Sequence, residues 1–178
     1  MRLYEIFENS KIQDAAAIIH AYVANAVPDA SSLDNAVAYL LQADPSLRYT
    51  GPMYRLITFD KLPNIDDYKS LLANTNGVVS FTRSADNWKS ILNNLYDAGI
   101  ANSGEGIILQ QQGVGLDVNS VLNKYVDEEA LEIEGDYVTE EEVLTQQTNA
   151  SLLKFFADDG NTLFNPDQFE DFKSQVEV

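Results

Sequence analysis

Three adjacent carboxylates, Glu140, Glu141 and Glu142, run directly into Val143 and Leu144. Like charges repel, and consecutive acids usually form a solvated run. These acids, however, sit in "DYVTEEEVLT", whose Tyr, Val and Thr content reads as a strand. Residues two apart on an extended chain point to the same side. Glu140 and Glu142 are therefore expected to look into one space, with Glu141 turned to solvent. The same spacing places Ser80 and Thr82 on one face of a strand in "GVVSFTRS", and the strand segment "MYRL" supplies Arg55, preceded by Tyr54.

A cleft holding one arginine, hydroxyls and two carboxylates has a definite chemistry. The planar guanidinium fork binds phosphate oxygens bidentately. Hydroxyls orient a ribose or a carboxylate. A carboxylate beside a sugar stabilises the positive charge of an oxocarbenium-like transition state. NAD has the phosphate, the ribose and the cationic leaving group that such a cleft would recognise. Each residue also has a plainer reading. Arg55 could lie on the surface of an edge strand, Ser80 and Thr82 could be ordinary strand residues, and the glutamates a charge run. Tyr54 could be core. Trp88 is read as core, with nicotinamide stacking as the lesser option. His20, the single histidine, sits in an Ala-rich apolar segment and reads as a packing residue.

In order and form these segments resemble the ADP-ribosyltransferases of the arginine–serine–glutamate class, which include the iota-like toxins and T-even phage transferases. Tyr54-Arg55 matches the aromatic-Arg of the first strand, Ser80-Phe81-Thr82 the Ser-Thr-Ser of the second, and Glu140-Glu141-Glu142-Val143-Leu144 the Glu-x-Glu motif with its Val-Leu. Phe81 and Thr82 depart from Ser-Thr-Ser, while the first serine is kept. The likeness covers residues 51–144, about half the chain. It implies an α+β fold, a split β-sandwich with an N-terminal helical segment, and NAD as substrate. It also implies roles. Arg55 would hold the pyrophosphate, with Tyr54 beside it. Ser80 would brace the nicotinamide ribose or the catalytic glutamate, and Thr82 would support the strand. Glu142 would stabilise the cation formed as nicotinamide leaves. Glu140 would position or deprotonate the acceptor, which its identity as Glu makes an arginine of a host protein.

The elements that must position these residues follow from periodicity. A first helix is expected over "SKIQDAAAIIHAYVANAV", capped by Ser10 and ended by Pro28. A second is expected over "DASSLDNAVAYLLQADP", capped by Ser31 or Ser32. Strands are expected at 53–59, in "GVVSFTRS" and in "GIILQQQ". Short helices are expected in "NIDDYKSLLAN", from Ser84 to Gly99, and in "LDVNSVLNKY", the last set off by Gly113 and Gly115. The C-terminal "SLLKFFADDGNTLFNPDQFEDFKSQVEV" reads as amphipathic and helical on both sides of Asn165-Pro166. Its "ADDGN" lacks the spacing of a calcium loop and reads as a turn. One domain over 1–178 is expected, with 1–50 helical, the catalytic motifs in 51–145 and a C-terminal segment in 146–178.

Composition narrows the function classes. The formal net charge is −17 and only 11 residues are Lys or Arg, which argues against stable binding to nucleic-acid phosphates. The same charge favours a basic protein surface over RNA as acceptor. It leaves two alternatives: an acidic DNA-mimic inhibitor, and a catalytically inactive member of the fold acting as a binding or virion protein. No cysteine is present, so disulfides and thiolate chemistry are excluded. No metal-ligand pattern stands out. The N-terminus lacks a signal-peptide core and no apolar run has membrane-spanning length. A cytoplasmic protein of phage or bacterial origin, without a membrane partner, is the expectation.

Overall fold

The computed structural model describes residues 3–24, 26, 28–60, 63–67, 77–97, 104–127, 141–146 and 149–177. The order is α1 (Leu3–Val23), α2 (Ala30–Ala43), β1 (Arg48–Thr58), β2 (Val79–Thr82), α3 (Trp88–Asp97) and β3 (Gly106–Asp117). Then follow α4 (Val118–Tyr125), β4 (Glu142–Thr145), β5 (Ser151–Ala157), β6 (Thr162–Phe164) and α5 (Phe169–Val176). The fold class is α+β, as expected, with an N-terminal helical pair.

The chain forms two compact units, each assembled from three segments. The first comprises Met1–Gly51, Asn76–Ser80 and Val114–Gln147; the second comprises Pro52–Thr75, Phe81–Gly113 and Thr148–Val178.

In the first unit, α2 buries Leu33, Ala36, Val37 and Leu40, a helical stripe at i, i+3, i+4 and i+7. These pack on Ala15, Ala16 and Ile19 of α1, on Val118, Val121 and Leu122 of α4, and on Leu116 and Leu144 of the strands. Two expected caps are corrected. Helix α1 begins at Leu3, so Ser10 lies inside it; neither glycine nor proline precedes Ser10 to stop the helix earlier. Helix α2 is capped by Asp29, whose carboxylate accepts from Ser32 N at 2.9 Å and from Ser32 Oγ at 2.5 Å. These hydrogen bonds hold the Asp29 carboxyl below its ordinary range. The serine proposed as the cap is thus the cap's donor.

A second carboxylate ties α2 to α4. Asp44 Oδ2 accepts from Lys124 Nζ and from Tyr125 OH, each at 2.6 Å. Its Oδ1 accepts from Ser46 N at 3.1 Å and Ser46 Oγ at 2.7 Å. Burial alone would raise the Asp44 carboxyl, but the donors outweigh it and hold the group far below the usual carboxylate range. The bond to Asp44 raises Lys124. Burial, followed by the Asp44 carboxylate, raises Tyr125.

In the second unit, β1 pairs antiparallel with β2, β3 with β5, and β5 with β6. Successive residues of β3 and β5 go to opposite faces. Ile107, Leu109 and Phe155 pack with Phe164 and with Phe172 of α5, whereas Ile108 and Phe156 pack with Trp88 and Leu92 of α3. Both faces are covered, which is why Ile107-Ile108-Leu109 and Phe155-Phe156-Ala157 read as apolar runs rather than alternating ones. The C-terminal segment is therefore corrected: its first half is the β5–β6 hairpin, and only its second half is helical. The turn between the strands uses Asp158 at φ 52° and Gly160 at φ 81°. A Cβ on Gly160 would lie 2.2 Å from Trp88 Cζ3, so glycine meets both demands there. "ADDGN" is thus a turn, as read, and no group of three metal-ligating side chains occurs among the described residues.

Two further boundaries differ from expectation. Strand β1 runs through Gly51-Pro52 instead of starting after it, since proline's fixed φ is compatible with extended backbone where its missing N–H is not needed. Strand β3 runs through Gly113 and Gly115 to Asp117, which caps α4 by accepting from Ser120 N. Helix α3 starts at Trp88, and of "NIDDYKSLLAN" residues 65–67 are helical; the rest lies outside the described residues. No helix among the described residues is long and apolar enough to cross a membrane.

Candidate functional site

Strand β4 lies between β2 and β3, and in the first unit it pairs antiparallel with β3 through Leu116↔Leu144 and Asp117↔Val143. The approach is close. A Cβ on Gly115 would sit 2.3 Å from Val143 Cγ1 and 3.0 Å from Leu144 O, so a side chain there would push β4 away. Thr145 Oγ1, buried, donates to Val114 O at 2.9 Å. Helix α2 fixes the flanks of β2 and β4. Val78 N, two residues before Ser80, donates to Asp34 Oδ1 at 2.7 Å, and Gln146 Nε2, just past β4, donates to Asp34 O at 3.2 Å.

This scaffold brings Ser80 and Glu142 together. Ser80 Oγ donates to Glu142 Oε1 at 2.5 Å across 62 residues of sequence, within the range of charge-assisted O–H···O⁻ bonds. A second hydroxyl reaches the same oxygen: Tyr22 OH, from α1, lies 3.3 Å from Glu142 Oε1. Ser80, Glu142 and Tyr22 are all half-buried. Sequence reasoning named the first two and missed Tyr22. A tyrosine in an Ala-rich helix looks like packing, and no local spacing relates it to a residue 120 positions away.

No family model matches the sequence, and no curated protein or solved structure matches it.

The glutamates need one correction. Glu141 has φ 47°, in the left-handed region, and the strand begins only at Glu142. The alternation that would turn Glu140 and Glu142 to one side requires extended backbone at Glu141, so that ground is lost. Glu141 is half-buried rather than a fully solvated acid. Glu140 lies outside the described residues.

The remaining predicted residues, Tyr54, Arg55 and Thr82, belong to the second unit. Tyr54 and Thr82 are direct partners in the β1–β2 pair and so share one side of it. Alternation puts Arg55, half-buried, on the other side, with Met53. The expectation that Arg55 and Thr82 face a common space is not met. Thr82 is buried, and its Oγ1 accepts from Ser84 N at 3.3 Å and Asn87 Nδ2 at 3.5 Å, so its hydroxyl serves the turn into α3. Trp88 is core, its ring centroid 5.5 Å from that of Phe156. His20 is half-buried in α1. A groove of about 350 Å³ between α1 and α2, lined by Lys11, Asp14, Ile18, Asn35 and Tyr39 among others, contains none of the predicted site residues.

Proposed function

We propose that this chain is an NAD-dependent mono-ADP-ribosyltransferase with an ADP-ribosyltransferase-like fold, and that its acceptor is an arginine of a host protein. The observation that carries the reading is the hydrogen bond from Ser80 to Glu142. A serine and a glutamate picked from separate motifs for roles in one reaction touch each other, and that contact supports the reading.

In the proposed reaction the bond between ribose C1′ and the nicotinamide nitrogen breaks. Its electron pair leaves with nicotinamide and neutralises the pyridinium. The carboxylate of Glu142 stabilises the cation left on the ribose, a charge present mainly in the transition state. Ser80 fixes the carboxylate so that little reorganisation is needed when that charge appears. The acceptor nitrogen then bonds to C1′ and gives up a proton, which Glu140 is proposed to take. Arg55 is proposed to bind the pyrophosphate; the motif resemblance, not the strand register, supports that role.

The test is labelled NAD in a bacterial lysate, with Glu142→Ala as control and Glu140→Gln as a second arm. Label transferred to a protein band by the wild type and lost in Glu142→Ala is expected. Glu140→Gln is expected to lose transfer while still hydrolysing NAD. Label that persists in Glu142→Ala would refute the assignment.

A further inference from the structure

We infer that Tyr22 of α1 is a positioning residue for the Glu142 carboxylate, which makes the N-terminal helix part of the transferase apparatus; this rests on the transferase reading above. Tyr22 OH and Ser80 Oγ converge on the same atom, Glu142 Oε1, at 3.3 Å and 2.5 Å. A single donor restrains the rotation of a carboxylate less than two do. Two donors arriving from different elements, a helix and a strand, restrict that rotation and fix where the second oxygen points. Catalysis by a preorganised carboxylate depends on that restriction.

The placement of Tyr22 is itself determined by packing. Its ring lies against the core of the first unit, one helical turn beyond the buried Ile19. The turn of α1 that holds Ile19 in the core therefore also sets the reach of the phenol. Helix α2 holds the chain two residues before Ser80 and, through the Gln146 side chain, just past the end of β4, both at Asp34. The two N-terminal helices thus act on the same short triangle of side chains, α2 through the backbone around it and α1 through a hydroxyl inside it.

Tyr22→Phe removes the donor and keeps the ring, so packing is preserved. It is expected to lower kcat for nicotinamide release about 3- to 10-fold with KM for NAD nearly unchanged. Tyr39→Phe, a hydroxyl deletion on α2, serves as the control and is expected to leave turnover unchanged. The effect of Tyr22→Phe should vanish in a Glu142→Gln background and should be non-additive with Ser80→Ala, because all three changes act on one carboxylate. A loss merely of structure would instead add in every background. A second readout needs no turnover. The 13C-carboxyl resonance of Glu142, assigned by its absence in Glu142→Gln, should move in Tyr22→Phe and stay in Tyr39→Phe. An unmoved resonance, or wild-type kcat in Tyr22→Phe, overturns the inference while leaving the transferase reading intact. A resonance that moves in Tyr22→Phe, with no nicotinamide released by the wild type, overturns the transferase reading while the contact stands.

Discussion

Ser80 Oγ lies 2.5 Å from Glu142 Oε1, and the two residues come from β2 and β4, neighbours in the sheet that are 62 residues apart along the chain. Such a bond orients the carboxylate, so the first prediction concerns its loss. Ser80→Ala should reduce nicotinamide release about 10-fold or more through kcat, with little change in Tm, since a half-buried hydroxyl on a strand contributes little packing. Equal loss through KM alone would show that Ser80 acts on NAD binding and not through Glu142.

Arg55 tests a different step. If its guanidinium holds the pyrophosphate, Arg55→Ala should weaken NAD binding about 10- to 100-fold by calorimetry, and Arg55→Lys should recover only part of it, because the bidentate fork is lost. The β1–β2 register sends Arg55 and Thr82 to opposite sides of the strand pair. Unchanged affinity in Arg55→Ala would remove the phosphate contact from the account.

The Asp44–Lys124–Tyr125 tie gives a pH prediction. The Asp44 carboxyl is depressed, so its contribution is complete above the unfolded value of about 3.9 and is lost as pH falls through the lower folded value. Lys124 and Tyr125 are raised, so their contributions are complete below their unfolded values, about 10, and are lost as pH rises through the folded ones. Asp44→Asn should lower Tm by about 2–6 °C at neutral pH. The gap to wild type should stay level between about pH 5 and 9 and narrow below about pH 4. A gap that widens on acidification would contradict the tie.

The part of the fold that local chemistry dictates was legible. The α2 stripe of Leu33, Ala36, Val37 and Leu40 has helical spacing, and the VSFT segment has strand composition. What failed did so where tertiary context decides. "SLLKFFA" has the apolar content of a helix face, but it lies between two cores, with Phe155 on one side and Phe156 on the other, and is a strand. Glu141 was read as extended because its neighbours favour strands; its left-handed φ shows that composition does not fix a single dihedral. The contact of Ser80 with Glu142 was legible only as a pairing of motif types, and Tyr22 carried no signal at all. Its importance comes from where α1 ends up against the strands of the first unit, which no local pattern encodes.

The central claim is that Glu142 stabilises a ribosyl cation. Its most direct test is the rate of nicotinamide release from labelled NAD by the purified protein, wild type against Glu142→Gln, with NAD affinity measured in parallel. Release by the wild type is expected, with a fall of about 100-fold or more in Glu142→Gln at nearly unchanged NAD affinity. No release by the wild type, or equal release by the two proteins, would contradict it.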